Sequence, residues 1–86
     1  MKGLEKQLKV LANRRRLAIL KYLKDRRQAS VTEIAGVIKL SLKATSKHLN
    51  LLLSSDIVER DQVSLQMFYR LSPDQKPVTR HILSLL

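Results

Sequence analysis

Apolar side chains recur at helical spacing through the first part of the chain. Leu4, Leu8 and Leu11 follow one another at i, i+4 and i+7, which predicts a first helix with one apolar stripe. Asn13 is a favourable N-cap residue, and a second helix is predicted from position 14 to about 25. The chain therefore opens with two predicted helices and a short break between them.

Two more helices are predicted in the middle of the chain. Ser30 and Glu33 have the spacing of a capping box, which starts a third helix that runs through Ile38. Ser41 is the predicted cap of a fourth helix over residues 42–54. Two short helices joined by a turn of three or four residues are typical of the helix-turn-helix unit.

After Asp56 the pattern changes from helix to strand. Residues 57–60 and 67–71 are rich in β-formers and predict a hairpin, although no Gly or Asn marks its turn. A last helix either is capped within residues 72–75, with Pro at its first position, or forms only after Pro77. Its apolar positions are Val78, Ile82 and Leu85. The predicted fold is mostly α with a small β-hairpin, in the order α-α-α-α-β-β-α.

The charge of the chain favours a polyanionic partner. Its 86 residues include 17 Lys and Arg against 7 Asp and Glu, and the net charge is +10. Residues 1–30 alone contain 10 basic and 2 acidic side chains. Such an excess is typical of proteins that bind nucleic acid or an anionic membrane surface. With only three aromatic residues, stacking on single strands is disfavoured, and duplex DNA is the better candidate.

Composition also excludes several classes of protein. The chain has no cysteine and only two histidines, so disulfides and thiolate metal sites are excluded. No apolar window is long enough for a membrane span, and the opening residues lack the apolar core of a signal peptide. There is no catalytic Ser-His-carboxylate signature and no Gly-rich phosphate loop. We expect one cytoplasmic domain over residues 1–86, not an enzyme and without a cofactor.

These stretches, taken in order, resemble the ArsR/SmtB family of winged-helix repressors. The resemblance covers about residues 4–72. It implies a homodimer built on the first and last helices, operator DNA read by the fourth helix, and repression released by a ligand. The matching stretches are Leu8 to Leu20 (LKVLANRRRLAIL), Val31 to Ala35 (VTEIA), Leu40 to Leu49 (LSLKATSKHL), Ile57-Val58 and Phe68 to Leu71 (FYRL).

The chain departs from the family in its sensor positions. The family's cysteine pair would fall at about residues 28–32, where no thiol is present. The family's metal site on the last helix uses an Asp, two His and a Glu. In this chain only Asp74 and His81 are of those types. We therefore expect neither metal site, and the ligand is left unknown. The wing tip, residues 61–65, lacks the usual Arg and Gly.

The fourth helix supplies most of the candidate DNA-binding residues. A recognition helix needs polar donors and acceptors on its exposed N-terminal half, which enters the major groove. The backbone N–H groups after Ser41 are candidate phosphate donors. Four side chains are predicted to point away from the core, and these are Lys43, Ser46, Lys47 and Asn50.

Other basic residues have two possible roles. His48 either contacts DNA or is a partly buried histidine with a neighbouring partner. Arg14 and Arg15, at the start of the second helix, either attract phosphate or form a solvated cluster. For Arg16 we hypothesise an ion pair with Glu33.

The two terminal stripes are the candidate dimer interface. They consist of Leu4, Leu8, Leu11, Val78, Ile82 and Leu85. Both could pack on the monomer core, but the central helices already cover one another, so a seam within residues 1–12 and 73–86 is favoured. The sequence predicts a homodimeric repressor of duplex DNA. A winged-helix module for protein–protein contact is the alternative, and a basic peripheral membrane protein is a third interpretation.

Overall fold

Five helices and one three-stranded antiparallel sheet make up the computed structural model, which describes residues 1–86. The strand order is β1-β3-β2, so the hairpin partner β3 lies in the centre of the sheet. The elements in chain order are α1 (Lys2–Leu11), α2 (Arg14–Asp25), β1 (Ala29–Ser30), α3 (Val31–Ile38), α4 (Leu42–Ser54), β2 (Val58–Val63), β3 (Gln66–Leu71) and α5 (Pro77–Leu85). The predicted order of helices and hairpin is confirmed, with β1 added.

The starts of the three central helices are fixed by local capping. The side chains of Asn13, Ser30 and Ser41 each accept backbone N–H hydrogen bonds at the start of α2, α3 and α4, at distances of 3.0 to 3.1 Å. Such bonds satisfy donors that a helix leaves unpaired in its first turn. The predicted starts of these helices are therefore confirmed.

The ends of α3 and α4 use left-handed residues that are not glycine. Asp56 has φ 58°. Around it, the N–H of Ile57 donates to the Leu52 carbonyl and the N–H of Asp56 donates to the Leu53 carbonyl, both at 3.0 Å. This pair of bonds is a Schellman ending, which turns the chain from α4 into β2. Lys39, with φ 57°, ends α3 in the same left-handed conformation.

The hairpin is longer than the sequence predicts. β2 extends to Val63 and β3 begins at Gln66, so only Ser64 and Leu65 form the turn. Ser64 has φ 58°, and a positive φ at the first turn residue alone is the pattern of a type II′ turn. Pairing across the strands therefore continues through the polar residues that the sequence predicts as a loop.

The terminal helices lie together beside the core. Gln7 on α1 is 2% exposed, and its Nε2 donates to the Ser55 carbonyl at 2.8 Å. The hydroxyl of Thr79 on α5 donates to the Gln7 Oε1. One buried amide thus ties α1 to α5 and to the end of α4. α5 itself begins at Pro77, so the possible cap within residues 72–75 is not used.

Candidate nucleic-acid interface

One face of α4 is anchored in the core. Thr45, Leu49 and Leu52 are fully buried on it, at 0% exposure. Leu49 and Leu52 pack with residues from α2, α3 and the sheet in a single apolar cluster. This burial fixes the rotation of α4, because turning the helix about its axis would expose three core side chains.

The opposite face of α4 is bare and basic. Lys43, Lys47 and Asn50 are exposed, and none of them has a hydrogen-bond or ion-pair partner in the chain. Ser46 is half-buried at the edge of this face. The whole of α4 contains no acidic residue. The two lysines and the asparagine are therefore free to interact with an external partner. The lysines donate hydrogen bonds, and the asparagine amide can both donate and accept them.

The start of α4 offers a second kind of donor. Ser41 is exposed, and its Oγ accepts the Ala44 N–H at 3.1 Å. The hydroxyl is therefore occupied as an acceptor but can still donate its own proton. The other unpaired N–H groups of the first turn carry the positive end of the helix dipole.

Three successive arginines at the start of α2 behave differently. Arg14 is exposed and Arg15 is half-buried, and the side chain of neither has a hydrogen-bond partner. Arg16 turns inward instead. Its Nε donates to the Val10 carbonyl at 2.5 Å, and its Nη1 lies 3.2 Å from the Nδ1 of His48. Arg14 and Arg15 thus add free positive charge, whereas Arg16 is a structural link.

The hypothesised ion pair between Arg16 and Glu33 is wrong. Glu33 instead accepts a hydrogen bond from the hydroxyl of Tyr22. That bond, more than any other contact, raises the pKa of Tyr22. The Arg16 guanidinium points to the end of α1 because unpaired helix carbonyls there accept its donors.

His48 lies at the flank of α4 and is partly exposed. Burial lowers the pKa of His48, and the positive charges of Arg16, Arg15 and Lys47 lower it further. Both effects disfavour the imidazolium and favour the neutral ring. The sequence alone leaves open whether His48 has a partner within the chain, and Arg16 is that partner.

The hairpin wing has two arginines, of which Arg60 on β2 is exposed and without a partner while Arg70 is paired. Arg70 forms ion pairs with Glu59, at 2.8 Å, and with Asp61. At the turn, Leu65 is 96% exposed and Val63 is 55% exposed. The wing therefore presents an apolar tip.

The terminal stripes divide between surface and core. Leu4 and Leu8 are each 46% exposed along one open side of α1. On α5, Leu85 is 68% exposed, while Val78 and Ile82 are half-buried. Leu11 corrects the sequence prediction, because at 4% exposure its side chain belongs to the monomer core.

The structure contains no cluster of three or more His, Cys, Asp and Glu side chains that could hold a metal ion. No helix has the length and apolar character needed to cross a membrane.

Comparison with known proteins places this geometry in a family. A model of the helix-turn-helix domain matches residues 11–61. Reduced HlyU from Vibrio cholerae has 33% sequence identity and a TM-score of 0.84, over 99% of this chain and 85% of that chain. The chain belongs to the ArsR/SmtB family. Its members among the solved structures are winged helix-turn-helix transcriptional regulators and not enzymes.

Two further ArsR/SmtB structures are similar over nearly the whole chain. Mb0332 from Mycobacterium bovis, a homodimeric winged helix-turn-helix DNA-binding domain, has 28% identity and a TM-score of 0.84, over 98% of this chain and 75% of that chain. The transcriptional repressor PagR of Bacillus anthracis has 26% identity and a TM-score of 0.76, over 98% of this chain and 95% of that chain. No curated protein sequence matches the chain. The predicted family and fold are confirmed.

Two sets of structural contacts in this ArsR/SmtB chain are not predicted by the sequence. Those of Arg16 are one set, because its partners are backbone carbonyls and a histidine 32 residues away. Those of Gln7 are the other, since it lies on the α1 face that is buried, between the leucines of the predicted stripe. The presence of a polar residue among apolar ones in α1 is the only sequence signal for the Gln7 contacts. It does not indicate that the partners are Ser55 and Thr79.

Proposed function

We propose that the chain is a homodimeric repressor that binds duplex DNA in a sequence-specific way and lacks the family's usual metal sites. It would act in the cytoplasm as one domain over residues 1–86. The observation that carries the proposal is the bare, basic face of α4, whose lysines have no partner in the chain. Recognition helices present such a face to the major groove.

The DNA-binding residues that we propose have separate roles. Lys43 and Lys47 donate to guanine edges or to phosphate, and Asn50 pairs with adenine, which its amide can contact in a bidentate manner. Ser46 and His48 supply shorter contacts at the edges of the face. Ser41 marks the helix N-terminus that receives a phosphate, while Arg14 and Arg15 attract the DNA backbone.

Dimer formation is proposed through the terminal segments, residues 1–12 and 73–86. The exposed side chains of Leu4, Leu8 and Leu85 support it, since they leave apolar surface uncovered. Mb0332 is a homodimer, and the present chain is similar to it. A twofold dimer would place its recognition helices one DNA turn apart, about 34 Å. Repression is proposed because PagR and the antimony-specific AntR, which are both similar to this chain, are transcriptional repressors.

Absence of the usual metal sites is part of the proposal. The chain has no cysteine for a thiolate site, and Asp74 and His81 are the only counterparts of the ligand set on the last helix. Any ligand that releases the DNA would therefore be a different chemical species.

Lys43→Ala and Lys47→Ala are each expected to lower the affinity for a bound duplex about tenfold, because each removes one contact to a base or phosphate. Fluorescence anisotropy with a labelled duplex measures the change. Lys21→Ala is the matched control, since Lys21 is also an exposed lysine but lies on α2, outside α4 and outside the proposed dimer segments. Wild-type affinity in both α4 variants would contradict the proposal.

The second candidate function is a module for protein–protein contact. The apolar wing tip favours it, because Leu65 and Val63 are exposed there. Absence of duplex binding at low salt would select this alternative.

A further inference from the structure

Arg16 connects the end of α1 to the flank of α4 through one guanidinium group. Its Nε donates to the Val10 carbonyl at 2.5 Å, and its Nη2 donates to the Lys9 carbonyl at 3.3 Å. The remaining nitrogen, Nη1, lies 3.2 Å from the Nδ1 of His48. The group is held on three sides, so its position is set by α1 and not by solvent.

The bond to Arg16 determines which nitrogen of His48 carries the proton. A guanidinium group only donates hydrogen bonds, so the Nδ1 of His48 must accept and is unprotonated. In a neutral imidazole the single proton is then on Nε2. Charges around the ring support the neutral form, because Arg15 and Arg16 on α2 and Lys47 on α4 are all positive.

The Nε2 of His48 is open to an external acceptor. It has no hydrogen-bond partner in the chain. Only Thr45 Oγ1 and Ser55 Oγ are side-chain polar atoms that are both buried and unpaired, so the unpaired Nε2 of His48 is not buried. An Nε2–H that is neither paired nor buried is in contact with solvent. His48 lies next in sequence to Lys47, whose side chain is on the bare face.

We infer that His48 serves as an uncharged Nε2–H donor to DNA and that Arg16 is the positioning residue that fixes this tautomer. The inference rests on the proposed function. The acceptor is an oxygen or nitrogen of the duplex, either on a base edge, such as guanine O6 or N7, or on a phosphate. Unlike a lysine, such a donor has one fixed direction and adds no counterion release.

Nitrogen-15 NMR of the histidine rings tests the tautomer without DNA. At pH 7.5 the wild-type protein should show His48 with a protonated Nε2 and an unprotonated Nδ1. In Arg16→Lys, which keeps the charge but lacks the fork of donors, the two tautomers should both be populated. His81, an exposed histidine with no hydrogen bond to its ring, is the internal reference for an unconstrained ring. A protonated Nδ1 in the wild-type protein would overturn the inference.

A double-mutant cycle tests the role in binding. His48→Leu should weaken duplex binding about five- to tenfold, and Arg16→Lys should weaken it severalfold. The double variant should bind like His48→Leu alone, because positioning matters only while the donor is present. Circular dichroism monitors folding, and His48→Gln, which keeps an N–H donor, supplies the conservative rescue.

Each outcome of this cycle decides the inference. Weakening by His48→Leu on a preferred duplex alone supports a base-edge acceptor, and equal weakening on all duplexes supports a phosphate acceptor. The inference would be refuted if the effects of the two variants on affinity were additive, or if His48→Leu bound the duplex with wild-type affinity. Either result would leave the proposed function intact. If the wild-type protein binds no duplex, it is the proposed function that fails.

Discussion

Leu8→Asp is expected to convert the proposed dimer into a monomer and to lower its affinity for a two-half-site duplex by about three orders of magnitude. A carboxylate buried in an apolar seam loses its hydration without gaining a partner. Once the protomers separate, the second half-site no longer binds at the high effective concentration that a dimer provides, and that advantage is worth about 10²–10⁴-fold.

Leu8 is suited to this test because its side chain is 46% exposed in the single chain, so the monomer fold tolerates the charge. Analytical ultracentrifugation gives the mass, and anisotropy gives the affinity. Val37→Asp is the matched control for mass, since Val37 is 49% exposed on α3 and lies outside the seam. An unchanged mass for Leu8→Asp would remove α1 from the dimer interface.

The affinity for a duplex should fall about 10³-fold or more between 50 and 200 mM salt. A dimer that neutralises about six to ten phosphates releases that number of counterions, and the logarithm of affinity then falls linearly with that of salt concentration. We propose that Arg14, Lys43 and Lys47, whose side chains are exposed and unpaired, make such contacts in each protomer.

A salt titration of wild type and of Lys43→Ala/Lys47→Ala, followed by anisotropy, measures this slope. The double variant should show a shallower slope, because its complex neutralises fewer phosphates and releases fewer counterions. Anionic lipid vesicles should not compete with the duplex, which separates this account from peripheral membrane binding. Affinity that is independent of salt would show that the basic face does not contact phosphate.

Local signals made much of this fold predictable. Asn13, Ser30 and Ser41 each cap their own helix within three residues, so the sequence alone located the starts of α2, α3 and α4. The bare face of α4 followed from the helical period.

Features that depend on distant partners were not predictable. β1 consists of Ala29 and Ser30 only, and it exists because β3 pairs with it. Leu11 has the spacing of the exposed stripe, yet it lies in the core. The rotation of α1 about its own axis turns Gln7, Val10 and Leu11 inward together. Contacts of this kind depend on how helices pack, which a single apolar period does not specify.

The central claim is that the bare face of α4 reads duplex DNA, and selection from a random duplex pool at about 50 mM salt tests it most directly. The wild-type protein should enrich an inverted repeat with half-sites about one helical turn apart, because a twofold dimer presents two recognition helices. Lys43→Ala/Lys47→Ala should lose that enrichment, while Lys21→Ala should keep it. A wild-type selection that enriches no sequence would contradict the account.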